Sequence, residues 1–206
     1  MRTRVKICGI TQAEDARQAA MLGTDAIGLV FYSKSPRAVD AARASLIVKE
    51  LPAFVTRVGL FVNMPREEIE AILDVVSLDI LQFHGDESVA DCRGYNKPYI
   101  KALRMKEGLD VSAEAALYPD AAALLLDTYL AGVPGGTGQQ FDWSAIPKNL
   151  ELPLVLAGGL TASNVAEAMT TAHPYAVDVS GGVERDKGIK DHRLIRDFIT
   201  EVNKLG

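Results

Sequence analysis

Short apolar runs alternate with segments of helical spacing along the whole chain, and this alternation restricts the fold more than any other feature. Several runs are almost continuous in apolar residues, such as 27–31 and the three leucines at 124–126. Such runs are typical of parallel strands that are buried on both faces. The predicted strands are Val5–Ile10, Ala26–Tyr32, Val55–Val62, Asp79–His84, Tyr99–Arg104, Ala123–Thr128, Leu154–Ala157 and Ala176–Ser180.

Helical segments fill the gaps between these strands. Apolar residues recur at helical spacing after Pro65 and again after Asp191, which is a suitable N-cap. Thr11 begins a Thr-x-x-Glu pattern, which predicts that it caps a helix ending near Gly23. Segments with a weaker helical composition follow Tyr32, Gly85, Met105 and Gly159.

Eight strand-plus-connection units recur roughly every 25 residues, as a (β/α)8 barrel requires. An open, doubly wound sheet is the competing architecture. It would more often show five or six strands and a glycine fingerprint after the first strand. Here the glycine clusters follow the last two strands instead. We therefore predict an α/β protein in which residues 1–206 form a single (β/α)8 TIM barrel, a catalytic domain.

The composition limits the partners of this chain. A formal net charge of -5 argues against nucleic acid as the main partner. No stretch approaches the ~20 apolar residues of a membrane span. Two cysteines are too few for a disulfide framework, which favours a reducing compartment. We expect a cytoplasmic protein that binds neither nucleic acid nor membrane, and both a monomer and a homodimer stay open.

Polar residues follow the apolar strands, at the ends that meet on one face of a parallel barrel. Active sites of such barrels form on that face. The predicted face therefore carries the chemistry, although the strands that lead into it are apolar. Its residues are Cys8, Arg37, Asn63, His84, Arg104, Asp127, Gly158, Gly159, Ser180, Gly181 and Gly182.

Cys8 and Asp127 end the first and sixth strands, across the barrel mouth from each other. A lone cysteine is more often a small buried hydrophobe than a catalyst. An aspartate directly after three leucines is harder to explain structurally, because Asp is almost never buried without a partner or a task. The two side chains can flank a small substrate as an acid–base pair. The glycine-rich segment 129–138 can close over that substrate.

Two glycine pairs follow the seventh and eighth strands. Gly158-Gly159 and Gly181-Gly182 allow backbone amides to approach a ligand without an intervening Cβ. Barrels often hold phosphate at this position, and Ser180 can add a hydroxyl. The alternative is that the glycines only form tight turns. We predict a phosphate site here.

Arg37 and His84 are the remaining candidates for substrate contacts. Arg37 can hold a carboxylate through two parallel hydrogen bonds, which a lysine cannot imitate. The alternative is a solvated surface charge. His84 can orient the substrate or merely satisfy its own ring nitrogens, and the residues alone do not decide between the two.

Eight segments occur in a fixed order along the chain. They are residues 6–11, Ser35-Pro36-Arg37, 58–63, 82–85, Leu126-Asp127, 135–138 with 141–143, 156–160 and Asp178-Val179-Ser180. Taken together, these segments resemble the phosphoribosylanthranilate isomerases, the (β/α)8 enzymes of tryptophan biosynthesis. The resemblance runs over the full length, and the order of the segments makes it specific.

The resemblance implies an Amadori rearrangement of a phosphorylated small-molecule substrate, with no metal and no organic cofactor. It implies that Asp127 supplies a proton to the ribose ring oxygen and that Cys8 removes the proton on C2′. It also implies substrate contacts at Arg37, His84 and Asp178. Two positions depart from the family pattern: Gly181 stands where a second serine is expected, and Gln139 where lysine is common.

Two kinds of alternative remain. A related phosphate-binding barrel would carry catalytic lysine and glutamate residues, or paired aspartates, at its strand ends. A catalytically inactive barrel that binds a sugar phosphate and regulates a partner would keep the glycine loops. Such a barrel would need neither Cys8 nor Asp127, so their presence argues against it.

Overall fold

The computed structural model of the protein describes residues 2–106, 108–128 and 142–205. Eight parallel strands pair in chain order, and the eighth pairs back with the first, which closes a barrel. The predicted (β/α)8 architecture is confirmed, and each predicted strand end lies within two residues of the observed one. The strands are β1 Arg4–Cys8, β2 Ala26–Val30, β3 Thr56–Phe61, β4 Ile80–Phe83, β5 Tyr99–Met105, β6 Ala123–Thr128, β7 Leu154–Leu156 and β8 Ala176–Val179.

Six α-helices surround the barrel in the described part of the chain. Asp191 caps the last of them as predicted, because its carboxylate accepts from the amides of Arg193 and Leu194. A short hairpin, β9 Glu184–Asp186 and β10 Ile189–Lys190, precedes this helix and was not predicted. The helices are α1 Ala13–Met21, α2 Ala41–Lys49, α3 Arg66–Val75, α4 Val111–Ala116, α5 Val165–Ala172 and α6 His192–Asn203.

The expected helix after Gly85 is wrong, because residues 86–98 form turns and irregular structure. The segment contains turn formers, and Gly94 and Asn96 both adopt positive φ, 87° and 52°. A buried ion pair takes the place of helical packing there. Lys101 Nζ lies 2.7 Å from Glu87 Oε2, and both side chains are less than 5% exposed.

Thr11 does not cap α1, so that prediction is also wrong. Gln12 occupies the N-cap position and makes no side-chain capping bond. The Thr11 hydroxyl instead donates to the carbonyl of Gly188, 2.5 Å away in the β9–β10 turn. This long-range hydrogen bond links the hairpin to the start of α1 and engages the hydroxyl that the capping prediction assigns to the helix.

Two apolar layers position the site. The larger lies between strands and helices and includes the stacked rings of Phe31 and Phe61, 5.3 Å between centroids. The smaller fills the barrel interior with residues such as Ala102, Leu125 and Val155. These residues close the barrel interior below the carboxyl ends of the strands, where a pocket stays open. No helix in the described ranges is long and apolar enough to cross a membrane.

Candidate active site

One pocket opens at the carboxyl ends of the strands. The structure brings together there ten of the residues that the sequence analysis selected for chemistry and binding, while their roles stay predictions. Arg104 and Asn63 are not among the lining residues. The selected residues that line the pocket are Cys8, Arg37, His84, Asp127, Gly158, Gly159, Asp178, Ser180, Gly181 and Gly182.

Cys8 ends β1 with its side chain turned into the barrel. It is a free thiol, 6% exposed, and pairs in register with Gly28 of β2. A Cβ at Gly28 would lie 2.7 Å from the Cys8 sulfur, so only glycine leaves room for the thiol. Burial, followed by the charge of Asp178, raises the pKa of Cys8, and the ammonium groups of Lys6 and Lys190 oppose that rise. The resting enzyme therefore holds Cys8 as a thiol at neutral pH.

Asp127 is the penultimate residue of β6 and lies beside His84. His84 Nε2 lies 3.3 Å from Asp127 Oδ2, although the two are not aligned for a hydrogen bond. The other carboxylate oxygen accepts from the Thr128 amide at 2.8 Å. Both side chains are less than 10% exposed. One oxygen of Asp127 is thus anchored by backbone, and the other faces the pocket and the histidine.

The orientation of His84 is set by two neighbours. The Gln82 side-chain amide donates to His84 Nδ1 at 3.1 Å, which places the ring proton on Nε2, the side that faces Asp127. Arg104 donates to the His84 carbonyl at 3.0 Å. Arg104 therefore supports the site from the rim.

Arg37 already holds a carboxylate within the protein. Its Nε and Nη2 each donate to Glu184 at 2.7 Å, and both side chains are largely buried. The hydrogen bonds that Arg37 donates to Glu184 raise the pKa of Arg37 above its ordinary value. Arg37 is thus a fixed part of the pocket wall rather than a solvated charge. A substrate carboxylate would have to use the edge of the guanidinium that includes Nη1.

Lys190 and Glu184 are parts of the site that sequence reasoning missed. Lys190 is fully buried and donates to Glu184 at 2.8 Å and to the Ser180 carbonyl at 3.2 Å. Burial lowers the pKa of Lys190, although Glu184 opposes that change. Both residues lie in the β9–β10 hairpin, beyond the strand end, so no strand-end pattern could have found them. Through Lys190, this ion pair contacts the Ser180 carbonyl of the predicted phosphate loop.

The glycine loops are shaped partly by contacts within the protein. A Cβ at Gly158 would lie 2.2 Å from Thr128 Oγ1, and one at Gly182 would lie 1.9 Å from the Leu160 carbonyl. Gly159 has φ 65°, a conformation that L residues rarely adopt. Gly158 and Gly182 are therefore required for packing of the loops, whether or not a ligand is bound.

Asp178 projects from β8 into the same pocket. One carboxylate oxygen accepts from the Lys6 ammonium at 2.9 Å, and the other is buried with no hydrogen-bond partner in the described residues. A buried acceptor without a partner is rare and suits a donor on the substrate. Within the described ranges, no three His, Cys, Asp or Glu side chains come together as a metal site.

Comparison with known proteins agrees with this arrangement. The family described as N-(5'-phosphoribosyl)anthranilate (PRA) isomerase matches residues 5–201. The N-(5'-phosphoribosyl)anthranilate isomerase of Pseudomonas paraeruginosa is 63% identical over 203 residues, which cover 98% of this chain and 96% of that protein.

Two solved structures extend the comparison to the fold. The phosphoribosyl anthranilate isomerase of Thermotoga maritima is 41% identical, with a TM-score of 0.90 over 98% of this chain and 99% of that one. A phosphoribosyl anthranilate isomerase in complex with reduced 1-(o-carboxyphenylamino)-1-deoxyribulose 5-phosphate is 40% identical, with a TM-score of 0.87 and coverage of 98% and 99%. The protein therefore belongs to the N-(5'-phosphoribosyl)anthranilate isomerase family.

Proposed function

We propose that this chain converts N-(5'-phosphoribosyl)anthranilate to 1-(2-carboxyphenylamino)-1-deoxyribulose 5-phosphate, an Amadori rearrangement in tryptophan biosynthesis. The observation that carries the proposal is the convergence of Cys8 and Asp127 in one pocket, beside the glycine loops after β7 and β8. A relative crystallised with a reduced form of this product supports the choice of substrate.

Asp127 acts as the general acid of the first step. It gives a proton to the ribose ring oxygen, the bond from that oxygen to C1′ breaks, and a protonated Schiff base forms. The position of Asp127 supports this role, because one oxygen faces the pocket while the other is held by the Thr128 amide. His84, 3.3 Å away, orients the carboxyl group.

Cys8 acts as the general base of the second step. Its thiolate removes the proton on C2′, and the electrons of that bond move toward the Schiff-base nitrogen, which gives an enolamine. The enolamine gains a proton at C1′ and loses the proton of its C2′ hydroxyl, which gives the ketone. The resting thiol must first ionise, and the cations near it, Lys6 and Lys190, oppose the effect of burial on its pKa.

Substrate binding uses the remaining lining residues. The loops at 158–159 and 180–182 hold the phosphate, with the buried charge of Lys190 behind Ser180. Arg37 takes the anthranilate carboxylate, and Asp178 accepts from the bridging amine or a sugar hydroxyl. The reaction needs no metal and no organic cofactor in this scheme.

The whole chain, residues 1–206, acts as one catalytic domain in this proposal. We place it in the cytoplasm, since both described cysteines are free and buried. It works as a monomer or a homodimer and needs neither nucleic acid nor membrane. An inactive regulatory barrel is not favoured, because it would have no use for Cys8 and Asp127 in the pocket.

Loss of anthranilate fluorescence tests the activity. Purified protein is added to freshly prepared N-(5'-phosphoribosyl)anthranilate. The product has the same mass as the substrate, so it is identified by borodeuteride reduction of its ketone, which places the deuterium at C2′. We expect turnover that saturates with substrate and that Cys8→Ala removes almost entirely. Binding of the reduced product without turnover would support the inactive barrel instead.

A further inference from the structure

A lysine lies beneath the proposed catalytic base, inside the barrel. Lys6 comes two residues before Cys8 on β1, so both side chains point to the same face of the strand. The Lys6 side chain is 5% exposed, and its ammonium donates to Asp178 Oδ2 at 2.9 Å. Burying a cation in a barrel interior is costly unless it is paired, so a lysine at this position suggests a role beyond packing.

The neighbouring strand leaves space for this arrangement. Gly28 of β2 faces β1, and a Cβ there would lie 2.7 Å from the Cys8 sulfur and 3.2 Å from Lys6 Cε. The two side chains therefore share the space above one glycine. Glycine weakens a strand interior, and here it permits the thiol and the lysine stem to pack together.

The charges around Cys8 come from several elements. Lys6 on β1 and Lys190 on β10 lower the pKa of the thiol, while burial and Asp178 on β8 raise it. Arg37 from the β2–α2 connection, His84 on the β4 end and Asp127 on β6 face the same pocket. Of the two ammonium groups, that of Lys6 lowers the pKa of Cys8 more than that of Lys190 does. Asp178 and Cys8 together raise the pKa of Lys6 despite its burial, so it stays an ammonium.

We propose that Lys6 is the positioning residue of the catalytic base. Asp178 holds the Lys6 ammonium beneath the sulfur, and the ammonium donates a hydrogen bond that stabilises the Cys8 thiolate. Lys6 keeps its proton throughout. The thiol releases its own proton to solvent, and the thiolate then takes the C2′ proton while the C2′–H bond breaks. This inference rests on the proposed function only for the last step.

The ionisation of Cys8 can be measured without the isomerase reaction. Iodoacetamide reacts with the thiolate, so its rate as a function of pH reports the midpoint of ionisation, and mass spectrometry of the labelled peptide separates Cys8 from Cys92. We compare wild type with Lys6→Met. We expect the midpoint to rise by about one pH unit or more, which slows labelling about tenfold at neutral pH.

Lys101→Met is the matched control. Lys101 is equally buried and is also paired with a carboxylate, but its ammonium lies on the outer side of the barrel against Glu87. Both variants lose one buried ion pair and should lose similar stability. We expect the labelling profile of Cys8 to stay unchanged in Lys101→Met. An unchanged profile in Lys6→Met would overturn the proposal.

The double variant Lys6→Met/Asp178→Asn removes both charges and leaves neither unpaired. We expect its midpoint to stay above that of wild type, since the hydrogen-bond donor is gone. A return to the wild-type midpoint would show that the unpaired carboxylate of Asp178, and not the loss of Lys6, had raised the ionisation midpoint of Cys8 in Lys6→Met. That result would overturn the role of Lys6.

If Lys6→Met does not fold, the difference in midpoint between Asp178→Asn and the double variant isolates the effect of Lys6. We expect the higher midpoint in the double variant, and equal midpoints would refute the proposal. These readouts stand even if the isomerase assay fails.

Discussion

Asp127→Asn keeps the shape of the Asp127 side chain but removes the acidic proton. We expect kcat to fall by ~10²–10⁴ while the affinity for the reduced product analogue changes little. Steady-state kinetics and calorimetric titration of the analogue measure the two quantities. Loss of analogue binding in a folded variant would make Asp127 a ligand contact, and His84 would be the next candidate for the acid.

Asp127 also shows how far a single residue can be interpreted from sequence. A carboxyl group directly after three leucines is expected to be buried, and a buried Asp is expected to have a partner or a function. The structure places it in the pocket, 5% exposed. The sequence could not predict its neighbour, because the approach of His84 to within 3.3 Å depends on how the strands come together in the barrel.

Arg37→Lys keeps the charge but removes the planar fork. We expect a higher KM, because lysine cannot hold Glu184 by two parallel bonds and face a substrate carboxylate at the same time. The measurement is KM for the natural substrate and for an analogue without the ring carboxylate. The KM for the analogue should rise less than the KM for the natural substrate. Equal increases would show that Arg37 does not contact the ring carboxylate.

At the scale of elements, the strands were more predictable than the connections. The strands are apolar because both faces of a parallel barrel are buried, so the runs mark their bounds. The segment after β4 has weak helical composition, but its turn residues and the buried pair of Glu87 and Lys101 decide its structure. An ion pair between residues on different elements produces no periodic pattern in the sequence, so it could not be predicted.

That pair should be costly to break. Glu87 also accepts from the amides of Asn63 and Gly85, so it ties the loops after β3 and β4 to β5. We expect Lys101→Met to lower the free energy of unfolding by about 3–5 kcal/mol, because it leaves a buried carboxylate without its cation. Urea denaturation measures the change. Arg93→Ala breaks an exposed pair with Asp120 and should have little effect, and similar losses in both would contradict the structural role of the buried pair.

Substitutions in the two glycine loops should distinguish glycines needed for packing from glycines needed for phosphate binding. Gly182→Ala places a Cβ against the Leu160 carbonyl, so we expect a loss of stability in urea. Gly159→Val should raise KM and weaken competition by inorganic phosphate, because Gly159 lines the pocket and a bulky residue there obstructs the approach of backbone to ligand. Gly23→Val is the control, since Gly23 also has positive φ but lies away from the pocket. An unchanged inhibition constant for phosphate in Gly159→Val would remove the phosphate site from this loop.

For the whole molecule, closure of the barrel is what assembles the chemistry. Cys8 and Asp127 lie on β1 and β6, far apart in the chain, and meet because the eight strands pair in order and close. Eight strand units in the sequence were enough to predict that closure. The β9–β10 hairpin was not predicted, and with it Glu184 and Lys190, because their ion pairs span elements and follow no local pattern.

The central claim is that the Cys8 thiolate removes the C2′ proton in this assembled pocket. A single-turnover experiment with substrate deuterated at C2′ tests it most directly, because it isolates the chemical step from product release. Burial raises the pKa of Cys8, so the thiolate fraction and the rate should increase from neutral toward alkaline pH. We expect a primary isotope effect in wild type and almost no turnover in Cys8→Ala. Turnover of Cys8→Ala at the wild-type rate, with the isotope effect intact, would contradict Cys8 as the base.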